Sequence, residues 1–127
     1  MNLALWIATG LLAAVAVTGG ATKAFVPKAR LEAAHGGGWT ADVGPGPVKA
    51  LGVLELLAAA GLILPAALDT APDLVPVTAA CWVLLMIGAM VTHGRRGESA
   101  FVALNAVYLG VAVFVAWGRT ALEPFTA

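Results

Sequence analysis

Charge is what this chain has least of. Only 11% of its 127 residues are Asp, Glu, Lys or Arg, against about 25% in an ordinary soluble domain. Seven Lys and Arg balance seven Asp and Glu. With no basic surplus, nucleic acid is excluded as a partner. Cysteine is almost missing as well. The single Cys81 rules out an internal disulfide, a CxxC redox pair and a Cys-based zinc site within one chain. In its apolar run it reads as a small buried hydrophobe. No HxxxH, HxxE or CxxC spacing occurs, so a metal set is not expected. Glu55, His93 and the distant His35 would make a poor one. The same two histidines, one in a loop and one at a helix end, do not suit a haem. Gly36-Gly37-Gly38 lacks the Lys-Ser/Thr that would make it a phosphate loop.

What is present is apolar. Hydrophobic residues make up 61% and the mean hydropathy is +0.93. Disorder needs the opposite balance. A core of this size cannot hide so much apolar surface from water, but lipid can solvate it. A helix of about 20 apolar residues crosses the hydrocarbon core, and four stretches qualify: residues 3–25, 47–68, 73–93 and 99–118. Small residues from Ala13 to Ala21 resemble a signal cleavage site. Three further spans follow, so the first stretch is read as a span rather than a leader. Gly46-Pro47 opens the second span and Pro65 bends or ends it. Gly94 is expected to stop the third.

The links between spans two and three and between three and four are short. Neighbouring helices are then antiparallel, which predicts an all-α, up-down four-helix bundle in one transmembrane domain. The first loop, residues 26–46, is long. It opens with Pro27–Ala34, a short amphipathic helix by pattern, and carries Trp39 at an expected membrane interface. Lys23, Lys28, Arg30, Lys49, Arg95 and Arg96 flank loops 26–46 and 94–98, and only Arg119 lies opposite. The positive-inside rule puts both loops in the cytoplasm and both termini outside. Close helix contacts are expected at Gly10/Ala14, around Gly61, and at Gly88 with Cys81 and Ala89. They serve bundle packing or contact with a second copy.

Polar groups inside the spans are few, so each is informative. Glu55 lies about 12 Å into the second span at 1.5 Å per residue. A carboxyl there is paired, with Lys23 or Lys49 as candidates, or protonated. Lys23 closes span one and His93 closes span three. Asn105 lies about 9 Å into span four, with Tyr108 on the same face. Trp82, Met86 and His93 follow one stripe of span three. All of these fall in the loop-side half, and beyond Thr78 the far half has almost none. A pocket opening toward the loops is expected, with Glu55 and His93 as an acid/base pair and Lys23, Asn105, Tyr108, Trp82, Met86 and Trp39 as ligand contacts. Each also has a plainer use. Glu55 locks helices through an ion pair, His93 meets a helix dipole, Lys23 snorkels, and Asn105 bonds a neighbouring helix.

The order Gly19-Gly20-Ala21-Thr22-Lys23, Pro27-Lys28, Gly38-Trp39, Gly52-Val53-Leu54-Glu55, Gly61-Leu62-Ile63-Leu64-Pro65, His93-Gly94-Arg95-Arg96-Gly97-Glu98 and Asn105 resembles the DoxX-like family of small four-helix bacterial membrane proteins. The resemblance covers nearly the whole chain. It implies a place in the bacterial inner membrane and an association with redox systems. It also implies a fold similar to the four-helix module of vitamin K epoxide reductase-like proteins. Their mechanism uses cysteine pairs that this chain lacks. The matching family positions are Lys23, Trp39, Glu55, His93 and Asn105. A quinone or isoprenoid is the lipophilic ligand so implied, a quinone the one cofactor to name, and a membrane oxidoreductase the protein partner. Three readings follow: a binder of a lipophilic ligand, a metal-free acid–base enzyme that opens, isomerises or cyclises a lipophilic substrate, and a structural subunit of a membrane complex.

Overall fold

A computed structural model describes residues 1–125. Helix α1 spans Asn2–Phe25, α2 Lys28–Ala33, α3 Pro45–Ala67, α4 Leu74–Arg95 and α5 Ser99–Trp117. A 3₁₀ turn covers Gly38–Asp42, and a π turn, Gly118–Leu122, continues α5. Among the described residues there is no strand. The four long helices are each long and apolar enough to cross a membrane. They form the expected bundle, with α1 packed chiefly on α3 and α4 chiefly on α5. The short helix in the first loop is also there, as α2.

The ends of the spans show how sequence sets length. Helix α3 starts at Pro45, two residues before the expected Pro47, because both prolines fit a first turn whose N–H groups need no partner. Pro65 does not end it at once, and α3 runs on to Ala67. So close to the terminus, a proline forfeits few bonds. Gly94 does not stop α4 either. The terminator is Gly97, in the left-handed region at φ 70°. There the Gly97 N–H donates to the Gly94 carbonyl at 3.1 Å, and the Glu98 N–H donates to the His93 carbonyl at 2.9 Å. That is a Schellman turn, and glycine is the residue that adopts its αL position without strain.

Lipid leaves no water to satisfy a hydroxyl. Thr9, Thr18, Thr22, Thr78, Thr92 and Thr120 each donate to the carbonyl four residues earlier, at 2.6–2.9 Å. Threonine is thus tolerated on membrane helices.

The two halves of the bundle differ. The far half, away from loops 26–46 and 94–98, is closed by Ala8, Leu12, Ala59, Leu62, Val75, Ala79, Ala112 and Val115, all buried in one cluster. Alanine at so many facing positions lets the helices approach closely. In the loop-side half glycines bring α1 and α3 close together. A Cβ on Gly20 would sit 2.8 Å from the Gly52 carbonyl oxygen, and one on Gly52 would sit 2.7 Å from that of Gly20. This pair was not among the expected small-residue contacts. Gly61 does pack tightly, against Thr78, but Gly10 and Gly88 have open space where a side chain would start. Cys81, expected to be buried, is exposed on the outer surface of α4.

Candidate functional site

The glycine contact explains the first polar pair. Lys23 and Glu55 each lie three residues after a glycine of the Gly20–Gly52 crossing, hence on the same helix faces. Side chains on a helix lean toward its N-terminus, so Lys23 points back into the bundle instead of out toward the loop. Its Nζ lies 2.9 Å from Glu55 Oε2 and donates to Oε1 at 3.3 Å and to the Gly19 carbonyl at 3.5 Å. Glu55 is 5% exposed. Lys49, the other candidate partner, donates instead to the Ala24 carbonyl at 3.3 Å.

The Schellman turn explains the second pair. By reversing the chain after α4, it brings Glu98 back alongside His93, with Nδ1 and Oε1 3.2 Å apart. Arg96 Nε donates to the same Glu98 oxygen at 3.2 Å, and its Nη1 donates to Asp42 at 3.0 Å. The α4–α5 link is thereby tied to the first loop. Phe101 completes the tie. Its ring centroid lies 5.1 Å from His93, nearly parallel, and 5.1 Å from His35.

Between these pairs lies a cavity of about 900 Å³. Lys23, Trp39, Glu55, Trp82, Met86, His93, Asn105 and Tyr108 all line it, so every site residue singled out in the sequence reaches one space. Trp39 is there too, on the 3₁₀ turn, as part of the cavity wall. Trp82 and Met86, both buried, belong also to the far-half core. The charged pair stands on the α1/α3 side. The α4/α5 side presents His93, Asn105 and Tyr108. Among the described residues neither the Asn105 amide nor the Tyr108 hydroxyl has a hydrogen-bond partner, and both residues are only part-buried. They remain available to whatever fills the space. Sequence reasoning missed the Glu98 partner of His93, the wall residues Phe101 and Leu104, and the placement of His35 at the cavity. The glutamate did leave a signal: five residues after the histidine and just past a C′ glycine, it sits where a Schellman turn folds back.

At the far end, on the side opposite the two loops, a cation is buried. Arg119, 4% exposed, donates from Nη1 to Asn2 Oδ1 at 2.7 Å and to the Glu123 carbonyl at 3.2 Å. Its guanidinium stands 4.1 Å from the Phe125 ring centroid and 5.5 Å from that of Trp6. The π turn carries Arg119 inward, over Gly118, which packs on Leu5. Among the described residues, no three His, Cys, Asp or Glu side chains come together as a metal cage.

A family model described as the DoxX-like family matches residues 7–115. The match covers most of the chain and all four long helices, and the chain belongs to that family. A search of curated proteins and a search of solved structures found no match.

Proposed function

We propose that this DoxX-like membrane protein holds a lipophilic small molecule of the quinone or isoprenoid type in the loop-side cavity and serves a membrane oxidoreductase as an accessory subunit. The observation that carries the reading is the cavity itself. A space of about 900 Å³ falls within the range of small-molecule sites. Its wall combines apolar side chains with a few convergent polar groups, the usual division between affinity and orientation. Lys23 and Glu55 form one polar wall, and His93, Asn105 and Tyr108 the other. The excess of Lys and Arg beside loops 26–46 and 94–98 supports a cytoplasmic orientation of this half.

A second reading rests on the His93–Glu98 contact at 3.2 Å. A carboxylate on Nδ1 orients a histidine as a general base, which suits acid–base chemistry on the same ligand. The acid expected in that scheme, Glu55, is bonded to Lys23, so the geometry favours holding the ligand over transforming it.

The test is direct. The protein is purified in a mild detergent and its organic extract is analysed by mass spectrometry. A stoichiometric quinone or isoprenoid is expected, reduced at least tenfold in Glu55→Gln and Tyr108→Phe variants that elute as the parent does. An extract with no lipophile above the detergent blank overturns the proposal.

A further inference from the structure

The cavity is open between helices. Ala14, Thr18 and Thr22 of α1, Leu84 and Gly88 of α4, and Leu104 of α5 all line it, and each is exposed although it lies within a membrane-spanning helix. At that depth the surroundings of such an opening are hydrocarbon. The threonine hydroxyls at this border donate to their own helix, at 2.9 Å for Thr18 and 2.6 Å for Thr22. An alkyl chain passing them therefore breaks no hydrogen bond. The loop side is more obstructed. Phe101 packs between His35 and His93, and Arg96 ties the first loop to the α4–α5 link.

The charges inside add a second constraint. Lys23 and Glu55 line the cavity as partners of one ion pair, and their formal charges cancel. Glu98, behind His93, is matched by Arg96 at 3.2 Å. A charged head would enter a low-dielectric space with no free counter-ion, where an uncompensated charge costs several kcal/mol. An uncharged head meets no such penalty, and the part-buried Asn105 amide and Tyr108 hydroxyl can donate to it and accept from it.

From these two observations we infer that the cavity is loaded sideways from the bilayer and selects an uncharged amphiphile, its polar head between Lys23–Glu55 and Asn105–Tyr108 and its tail leaving past Gly88 and Leu104. The inference rests on the proposed function and adds the route and the head-group chemistry.

Trp82 reports on it. It is 2% exposed, so bulk lipid does not reach its ring, but it lines the cavity. A variant keeping only Trp82, with Trp6, Trp39 and Trp117 changed to Phe, is reconstituted in phosphatidylcholine vesicles. These contain either chain-brominated diacylglycerol or chain-brominated phosphatidylglycerol at equal bromine content. A second variant keeping only Trp117, 57% exposed, serves as the lipid-facing reference. Saturable quenching of Trp82 by the diacylglycerol, at least threefold stronger than by the phosphatidylglycerol, is expected. Gly88→Phe is expected to reduce it at least threefold, since open space surrounds that Cα and a ring there obstructs the side opening. Equal quenching by both lipids overturns the selectivity and leaves the proposed function standing. Quenching that Gly88→Phe does not change overturns the route. Quenching of Trp117 alone, with Trp82 untouched by either lipid, overturns the inference as a whole, while mass spectrometry of the extract decides the proposed function separately. Should the triple-Phe variant misfold, the unmodified chain is photolabelled instead with a diazirine-tailed diacylglycerol or phosphatidylglycerol. Neutral-lipid labelling that maps to residues 82–89 and 101–108 supports the inference; equal labelling there by both lipids overturns it.

Discussion

Two cations are drawn into this bundle, one at each end, and to different degrees: Lys23 is part-buried, with 22% of its side chain exposed, and Arg119 is buried. Lys23 meets a carboxylate and faces a cavity. Arg119 meets an amide, a carbonyl and two aromatic rings, and it does not line that cavity. Planar and delocalised, a guanidinium is more weakly hydrated and stacks on rings, so Arg119 can act as a rivet between the first and last helices. An ammonium is compact and strongly hydrated, and in lipid it needs a counter-ion. The contrast separates a polar group that closes a structure from one that furnishes a site.

Substitutions can break or sharpen this contrast, and the largest effect is expected at Glu55. Glu55→Ala leaves Lys23 without its counter-ion, and loss of one partner of a buried pair costs about 3 kcal/mol. Thermal unfolding in detergent should show it. The Lys23→Met/Glu55→Leu double variant should regain most of that stability while losing the bound lipophile, which would split fold from site at one locus. Next is Gly52→Val. A Cβ there meets the Ala24 amide nitrogen at 2.5 Å, so α1 and α3 are forced apart at about 2 kcal/mol, and ligand retention falls with the displaced pair. Arg119→Ala removes two charge-assisted hydrogen bonds and the ring contacts, at about 1.5 kcal/mol. Unlike Glu55→Ala, it should leave the amount of co-purified lipophile unchanged. If Arg119→Ala empties the cavity, the two ends are coupled and the contrast fails. The smallest effect is expected at Arg96→Ala. That exposed pair contributes about 0.5 kcal/mol, so unfolding should scarcely move, while proteolysis within residues 34–44 should quicken as the loop loses its tie.

Helix count, order and approximate limits were legible because a bilayer imposes a length and a polarity that any hydropathy pattern reveals. Site residues were legible for a related reason. In so apolar a chain, Glu55, His93 and Asn105 stand out, and antiparallel order alone puts them in the same half. Helix ends were misjudged where the backbone, not the side chain, decided the outcome. Gly94 and Gly97 look alike in sequence, yet only the latter adopts the left-handed conformation. Glu98 was missed with it, because its approach to His93 exists only once that turn forms. The burial of Arg119 was not legible because a π turn changes which way a residue faces, and the 3.6-residue period does not announce one.

Scarcity of charge therefore settled, by itself, that this chain lives in lipid as four spans with one polar end. That follows from solvation, which depends on composition and order and not on which helix touches which. Tertiary structure decided the rest: that Lys23 and not Lys49 holds Glu55, that Gly20 and Gly52 allow the contact, and that a cavity remains beside it. Those outcomes depend on distances of a few ångströms between segments far apart in sequence, and no one-dimensional pattern carries them.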